Sequence, residues 1–187
     1  MAIAPGSRRT LSTRPRRDSV LGNVMKVLLV RHAIALDRDI PGVSDHLRPL
    51  TEEGAARFRK TARSLATLVS PELLLTSPLL RAKQTAEILA AQWPATPPRE
   101  SEALGNGSRR EFEEALAKLS GPKLIVAVGH EPWLSEWTAE WLGASRADSF
   151  AFKKGGAALL DFDGEVAAGE GRLVFFAAPK ALKDLAG

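Results

Sequence analysis

The sequence predicts one α/β domain built on a largely parallel sheet. Short apolar runs rich in branched side chains alternate with capped, amphipathic segments, the pattern of strands and helices taking turns. Turn-forming residues bound each run. The chain has 187 residues, enough for one domain with a substantial core and too few for two large ones.

Lys26–Val30 (KVLLV) reads as a strand covered on both faces, because it is continuously apolar rather than alternating. A polar loop carrying Asp37, Asp39, Pro41, Gly42 and Asp45 follows. Thr51 then offers a hydroxyl N-cap, and Glu52 and Glu53 place acids in a first turn, opening a helix to about Leu68. Leu73–Thr76 is the second strand. Pro78 starts a helix that ends near Gln92, ahead of Pro94, Pro97 and Pro98. Ser108-Arg109-Arg110-Glu111 fits a capping box and begins a helix that stops near Ser120-Gly121-Pro122. Lys123–Val128 is the third buried strand and Pro132–Leu142 the next helix. Ala157–Phe162 and Arg172–Ala177 close the sheet, joined by a turn-rich stretch that begins Asp163-Gly164.

Charge narrows the functional classes. The net charge is +4, yet residues 1–24 hold five arginines against the single acid Asp18. The other 163 residues balance 21 basic against 21 acidic side chains. The basic excess therefore belongs to a leader poor in apolar periodicity, which is expected to be a disordered extension ahead of a domain spanning 25–187. A plain extension, a transit-like leader and a start-site artefact (Met25 stands directly before the first strand) all fit it. A neutral body gives no reason to expect nucleic acid. No apolar stretch is long enough to cross a membrane, so no membrane partner is expected. The absence of cysteine excludes disulfides, thiolate catalysis and thiolate metal sites.

Three places share one grammar: a buried strand ends, and a phosphate-competent side chain follows at once. Arg31-His32 follows the first strand. Thr76-Ser77-Pro78 follows the second, with Arg81 one turn into the next helix. Gly129-His130 follows the third. Ligands of open α/β sheets bind at the carboxyl ends of strands, so these segments are expected to converge on one crevice. Two guanidiniums can hold phosphate oxygens and keep a neighbouring imidazole neutral and nucleophilic. A second imidazole can donate as charge develops, and no metal is then required.

Leu29-Val30-Arg31-His32-Ala33 resembles the signature of the histidine phosphatase (phosphoglycerate-mutase-like) superfamily, and the chain is most similar to its SixA-type phosphohistidine phosphatases. Arg48-Pro49-Leu50-Thr51, Thr76-Ser77-Pro78 through Arg81 to Ala86, Val128-Gly129-His130-Glu131-Pro132 and Lys153-Lys154-Gly155 extend the resemblance from Met25 to about Pro179. It implies a three-layer domain with helices on both faces of the sheet. It also implies transfer of a phosphoryl group to His32 and release to water, with Arg31, Arg81 and His130 completing the phosphate pocket; Ser77 is a further candidate phosphate contact by its position after the second strand. No cofactor and no metal are implied, and a cytoplasmic setting is expected.

The superfamily's general acid does not carry over, because the stretch Glu100–Asn106 is short where many members have a longer insertion. Glu102 is the candidate on position, with Asp45 and Asp37 as rivals. The expected substrate is phosphohistidine on a signalling or phosphotransfer protein. A small-molecule or nucleotide phosphomonoesterase is the alternative, and a non-catalytic phosphoprotein-binding module is a further one.

Several other residues have a plainer reading beside a functional one. Trp133, Trp137 and Trp141 form a stripe expected to pack in the core, with Trp133 near enough to His130 to edge the pocket. His46 is expected to be solvated. Ser77 also fits a cap and turn. Lys153 and Lys154 read equally as a rim for an acidic partner or as a solvated pair. Glu131 could orient His130, or simply suit a helix start.

Overall fold

The structure, a computed structural model, describes residues 24–38, 41–119 and 124–184. The expected disordered extension lies outside the described residues, except that Val24 already belongs to the first strand. In chain order the elements are β1 (Val24–Arg31), α1 (Glu52–Leu68), β2 (Leu73–Thr76), α2 (Leu80–Ala90), β3 (Pro98–Glu100), α3 (Glu102–Asn106), α4 (Arg109–Ala117), β4 (Leu124–Gly129), α5 (Trp133–Trp141), β5 (Ala157–Asp163), β6 (Gly171–Ala177) and α6 (Pro179–Asp184). Single 3-10 turns sit at Asp45–Leu47 and Ala147–Phe150.

The six strands form one sheet in the order β3-β2-β4-β1-β5-β6. β1, β2, β3 and β4 run parallel, and β5 alone opposes its neighbours on both sides. The expectation of a largely parallel sheet with helices on both faces therefore holds. β1 explains the layering. Its alternate residues Val27 and Leu29 enter a core with Phe112 of α4 and Leu134, Trp137 and Trp141 of α5. Leu28 and Val30 point the other way, into a core with Phe58, Ala62 and Leu65 of α1, Ala82, Ala86 and Leu89 of α2 and Leu182 of α6. A run buried on both faces is what its unbroken apolar sequence requires.

The caps follow the sequence in part. The Thr51 hydroxyl accepts from the Gly54 N–H at 2.9 Å, and the Ser108 hydroxyl accepts from the Glu111 N–H at 3.3 Å. The capping box at Ser108 is only half formed. Glu111 accepts instead from the Asn106 side chain, whose own carbonyl takes the Ser108 N–H at 2.8 Å. α2 starts at Leu80 rather than Pro78, with the Ser77 hydroxyl accepting from the Leu79 N–H just before it.

Three elements were not expected. β3 begins at a proline, tolerable because β3 is the edge strand and Pro98 is its first residue. α3 turns what reads as a short loop into one wall of a cleft that His130 also lines. α6 starts with Pro179, a favoured first helical residue, and buries Leu182 completely.

Candidate active site

β1, β2 and β4 end side by side, and pairing continues past their formal limits. The His32 N–H donates to the Gly129 carbonyl at 3.1 Å and the Ser77 N–H to the Val128 carbonyl at 3.0 Å. Three separate segments thus deliver His32, Ser77 and His130 to one edge of the sheet. Arg81 arrives from the first turn of α2. Thr85, one turn further on, locks that helix to β1: its hydroxyl accepts from the Ala33 N–H at 3.0 Å and donates to the Arg81 carbonyl at 2.6 Å.

His32 and His130 are each 6% exposed, with ring centroids 5.1 Å apart. His32 Nδ1 lies 2.7 Å from the carbonyl oxygen of Ala33. A carbonyl only accepts, so Nδ1 carries the proton and Nε2 keeps the lone pair. His130 Nε2 lies 2.8 Å from the Ser77 hydroxyl, which is itself fully buried. Ser77 therefore stands behind His130 as well as capping the approach to α2.

The guanidiniums are held from their outer sides. Arg31 donates to the Phe152 carbonyl at 2.6 Å. Arg81, 3% exposed, donates to the Asp45 carbonyl at 2.7 Å and to its carboxylate at 3.1 Å. What remains is informative. Nε of Arg31, Nε of Arg81 and Nδ1 of His130 are buried and have no hydrogen-bond partner among the described residues. Buried donors are normally satisfied, and N–H donors of this kind are suited to the oxygens of an anion.

Electrostatics keep both imidazoles neutral. Burial first, then the neighbouring His130, Arg81 and Arg31, push His32 down to about 3, against the pull of the Ala33 carbonyl. His130 is likewise pushed down to about 3 by burial and then Arg81, with Asp45 opposing. Burial lowers the two arginines as well, opposed by Glu131 at Arg31 and by Asp45 at Arg81. For Asp45, burial would raise the carboxyl, but Arg48 and Arg81 outweigh it and hold it below the usual carboxylate range.

The two histidines make stability depend on pH with a definite sign. Between about 3 and the ordinary value of 6.5 the unfolded chain takes up protons that the folded one refuses. Their neutral burial is thus without penalty above pH 6.5 and increasingly costly as pH falls through that window. Urea midpoints should drop more steeply between pH 6.5 and 4 for the wild type than for His32→Ala. Parallel pH profiles for the two proteins would contradict this.

Beside this cluster opens a cleft of about 490 Å³, lined among others by Asp45, Arg81, Glu102, His130, Pro132 and Trp133. Trp133 lies across Gly107, where a side chain would collide with the indole 2.3 Å away. His32 does not itself line this cleft; its neighbour His130 does. Among the described residues, no group of three or more His, Asp or Glu side chains is placed to hold a metal ion.

Residues 27–107 match the histidine phosphatase superfamily (branch 1). An uncharacterized protein of Picosynechococcus sp. is 41% identical over 117 residues, which cover 60% of this chain and 70% of that one. The protein assigned as phosphohistidine phosphatase SixA in Agrobacterium tumefaciens superposes with a TM-score of 0.71 at 25% identity, over 83% of this chain and 98% of that one. The chain belongs to the histidine phosphatase superfamily, as a phosphatase of the SixA type. A protein histidine phosphatase SixA in complex with tungstate superposes comparably, with a TM-score of 0.66 at 25% identity over 84% of this chain and 99% of that one.

In this SixA-type phosphatase the four residues singled out by their position after strands, Arg31, His32, Arg81 and His130, do come together. Glu102 and Asp45 both line the cleft, whereas Asp37 is exposed and does not. Asp45 differs from the expectation of a proton donor: it is an ionised acceptor for Arg81 and Arg48. Of the tryptophan stripe, Trp137 and Trp141 are core, and Trp133 both packs on the core and edges the cleft. His46 is exposed at the cleft rim.

Sequence reasoning assigned no part to Arg48, which is 5% exposed and pairs with the Asp45 carboxylate at 2.9 Å. Its place in Arg48-Pro49-Leu50-Thr51, one of the motifs that carry the resemblance, was the available signal. Glu131 also does something unforeseen. Its carboxylate accepts from the Phe152 N–H at 2.7 Å and from Ser135 at 2.6 Å, fixing the loop whose Phe152 carbonyl holds Arg31.

Proposed function

We propose that this phosphatase removes the phosphoryl group from phosphohistidine on signalling or phosphotransfer proteins of the cytoplasm, without metal, through a covalent intermediate on His32. The observation that carries the reading is the fixed tautomer of His32, whose single available lone pair sits on Nε2 beside unpartnered donors of Arg31, Arg81 and His130.

The chemistry follows from that set. The phosphoryl oxygens take the free N–H groups of the two arginines, which neutralise charge in place of a metal. His32 Nε2 attacks phosphorus as the bond to the substrate imidazole breaks. The substrate ring enters protonated on its other nitrogen, so the leaving nitrogen keeps the N–P electron pair and the imidazole is released neutral. Water then attacks the phosphorylated His32, the N–P bond breaks, inorganic phosphate leaves, and His32 regains its lone pair. The Ser77 hydroxyl accepts from Leu79 and can donate to His130 Nε2, which puts the His130 proton on Nδ1, the atom without a partner. His130 then donates to an equatorial oxygen as charge builds.

A phosphoimidazole is a good leaving group once protonated, so a strong acid in the enzyme is dispensable. An ester substrate would need one, and Glu102 in the cleft is the group positioned to serve it. This gives a direct test. In the presence of a chelator, the enzyme should hydrolyse a phosphohistidine peptide with a higher kcat/KM than sugar phosphates or nucleotides, and Glu102→Gln should leave that rate nearly intact. Preference for an ester that collapses in Glu102→Gln would establish the phosphomonoesterase alternative. Loss of all turnover on chelation would refute the metal-free mechanism.

A further inference from the structure

A second cavity, of about 280 Å³, opens between α1, α6 and the loop before β5. Its floor is apolar, made by Ala33, Phe58, Gly155 and Pro179, and its rim carries Arg57, Lys154, Lys180 and Lys183. Among the described residues no carboxylate lines it. Glu53 reaches its edge only as the partner of Arg57, and Asp184 is the one acid on α6. The three lysines make no ion pair among the described residues. Lys153, also exposed, adjoins Lys154. In a body whose formal charges cancel, this is a concentration of one sign.

Topology puts the cavity where a substrate would meet it. β5 opposes β1, and β6 opposes β5, so the start of β5 and the end of β6 lie at the same end of the sheet as the end of β1. The Gly155 N–H donates to the carbonyls of Arg31 and His32, both at 3.1 Å. The cavity is thus tied by the Gly155 N–H, and by Ala33 in its floor, to the backbone of His32, the histidine that takes the phosphoryl group.

We propose that this cavity is the docking site for an acidic face of the phosphorylated protein substrate, which seats one apolar side chain on the Phe58–Pro179 floor amid carboxylates that meet the lysine rim. The proposal rests on the reading that the substrate is a protein. An apolar centre within a charged rim is the anatomy of a protein interface. Lys154 and Lys180 are exposed on flexible stems, which suits steering of a macromolecule more than caging of a small anion. Glycine at 155 is required, since φ is +78° and Phe58 lies 3.1 Å from where a side chain would start.

The test needs no turnover, which separates it from the test of the substrate reading. A fluorescent, unphosphorylated hexaglutamate peptide with a central leucine should bind the wild-type protein at low ionic strength and weaken as salt rises. The triple variant Lys154→Glu, Lys180→Glu, Lys183→Glu should bind it at least about tenfold more weakly. Hydrolysis of p-nitrophenyl phosphate should be the same in both proteins, since none of the three lysines touches the phosphate cluster. Equal peptide binding by wild type and variant would overturn the docking site. So would tripolyphosphate displacing the peptide with tighter, lysine-dependent binding, which would assign the cavity to a small polyanion.

Discussion

His32→Ala is expected to reduce phosphate release to the uncatalysed background while leaving the protein folded. The reason for the loss is local. Ala33 fixes the proton on Nδ1, so Nε2 is the attacking atom, and no other side chain in the cluster offers an unprotonated nitrogen at the end of β1. His130 cannot substitute, because its Nε2 is engaged by Ser77. The fold should survive because the buried imidazole is neutral and holds no ion pair. Its removal costs one hydrogen bond, about 1 kcal/mol. Phosphate release assayed beside a thermal melt checks both halves, and a folded variant with undiminished turnover would remove His32 from the mechanism.

Trapping sharpens the same prediction. Wild-type enzyme quenched during turnover of labelled substrate should carry a label stable in base and labile in acid, as a phosphoimidazole is. His32→Ala should carry none. An acid-stable label would point to a hydroxyl, and Ser77 would be the first to examine.

The sequence was most legible where a physical constraint acts over a few neighbouring residues. The unbroken apolar runs of β1, β2 and β4 had to be strands covered on both faces, and that alone brought Arg31, His32, Ser77 and His130 to one edge. The Thr51 cap was legible for the same reason. What stayed hidden depends on partners distant along the chain. Asp45 reads as a free acid in a polar loop, and only the fold brings Arg81, 36 residues away, onto its carboxylate and turns it into an acceptor. Glu131 reads as a helix-start acid, yet its carboxylate works 21 residues on, at Phe152. β3 and α3 were obscured by prolines and by their short length, since three to five residues carry too little periodicity to register.

Arg81→Ala is expected to lower kcat on the order of a hundredfold, the scale of losing one donor that meets developing oxyanion charge. Among the described residues the buried Nε of Arg81 has no partner, while Nη1 and Nη2 each donate to Asp45, so Nε is a donor left for substrate. Arg81→Lys should recover little, because an ammonium is a point charge and cannot hold Asp45 and a phosphoryl oxygen in a fixed fork. A second readout separates this from a merely structural role. After burial, Arg81 is the largest influence holding His130 down, so its loss should move the acid limb of the pH–rate profile upward. Asp45→Asn is the contrasting variant. An ionised carboxylate donates no proton, so amide replacement should leave kcat within about threefold, whereas a general acid at this position would cost 10²-fold or more. If Asp45→Asn fell as far as Arg81→Ala, Asp45 would regain the part of proton donor that its two arginine partners argue against.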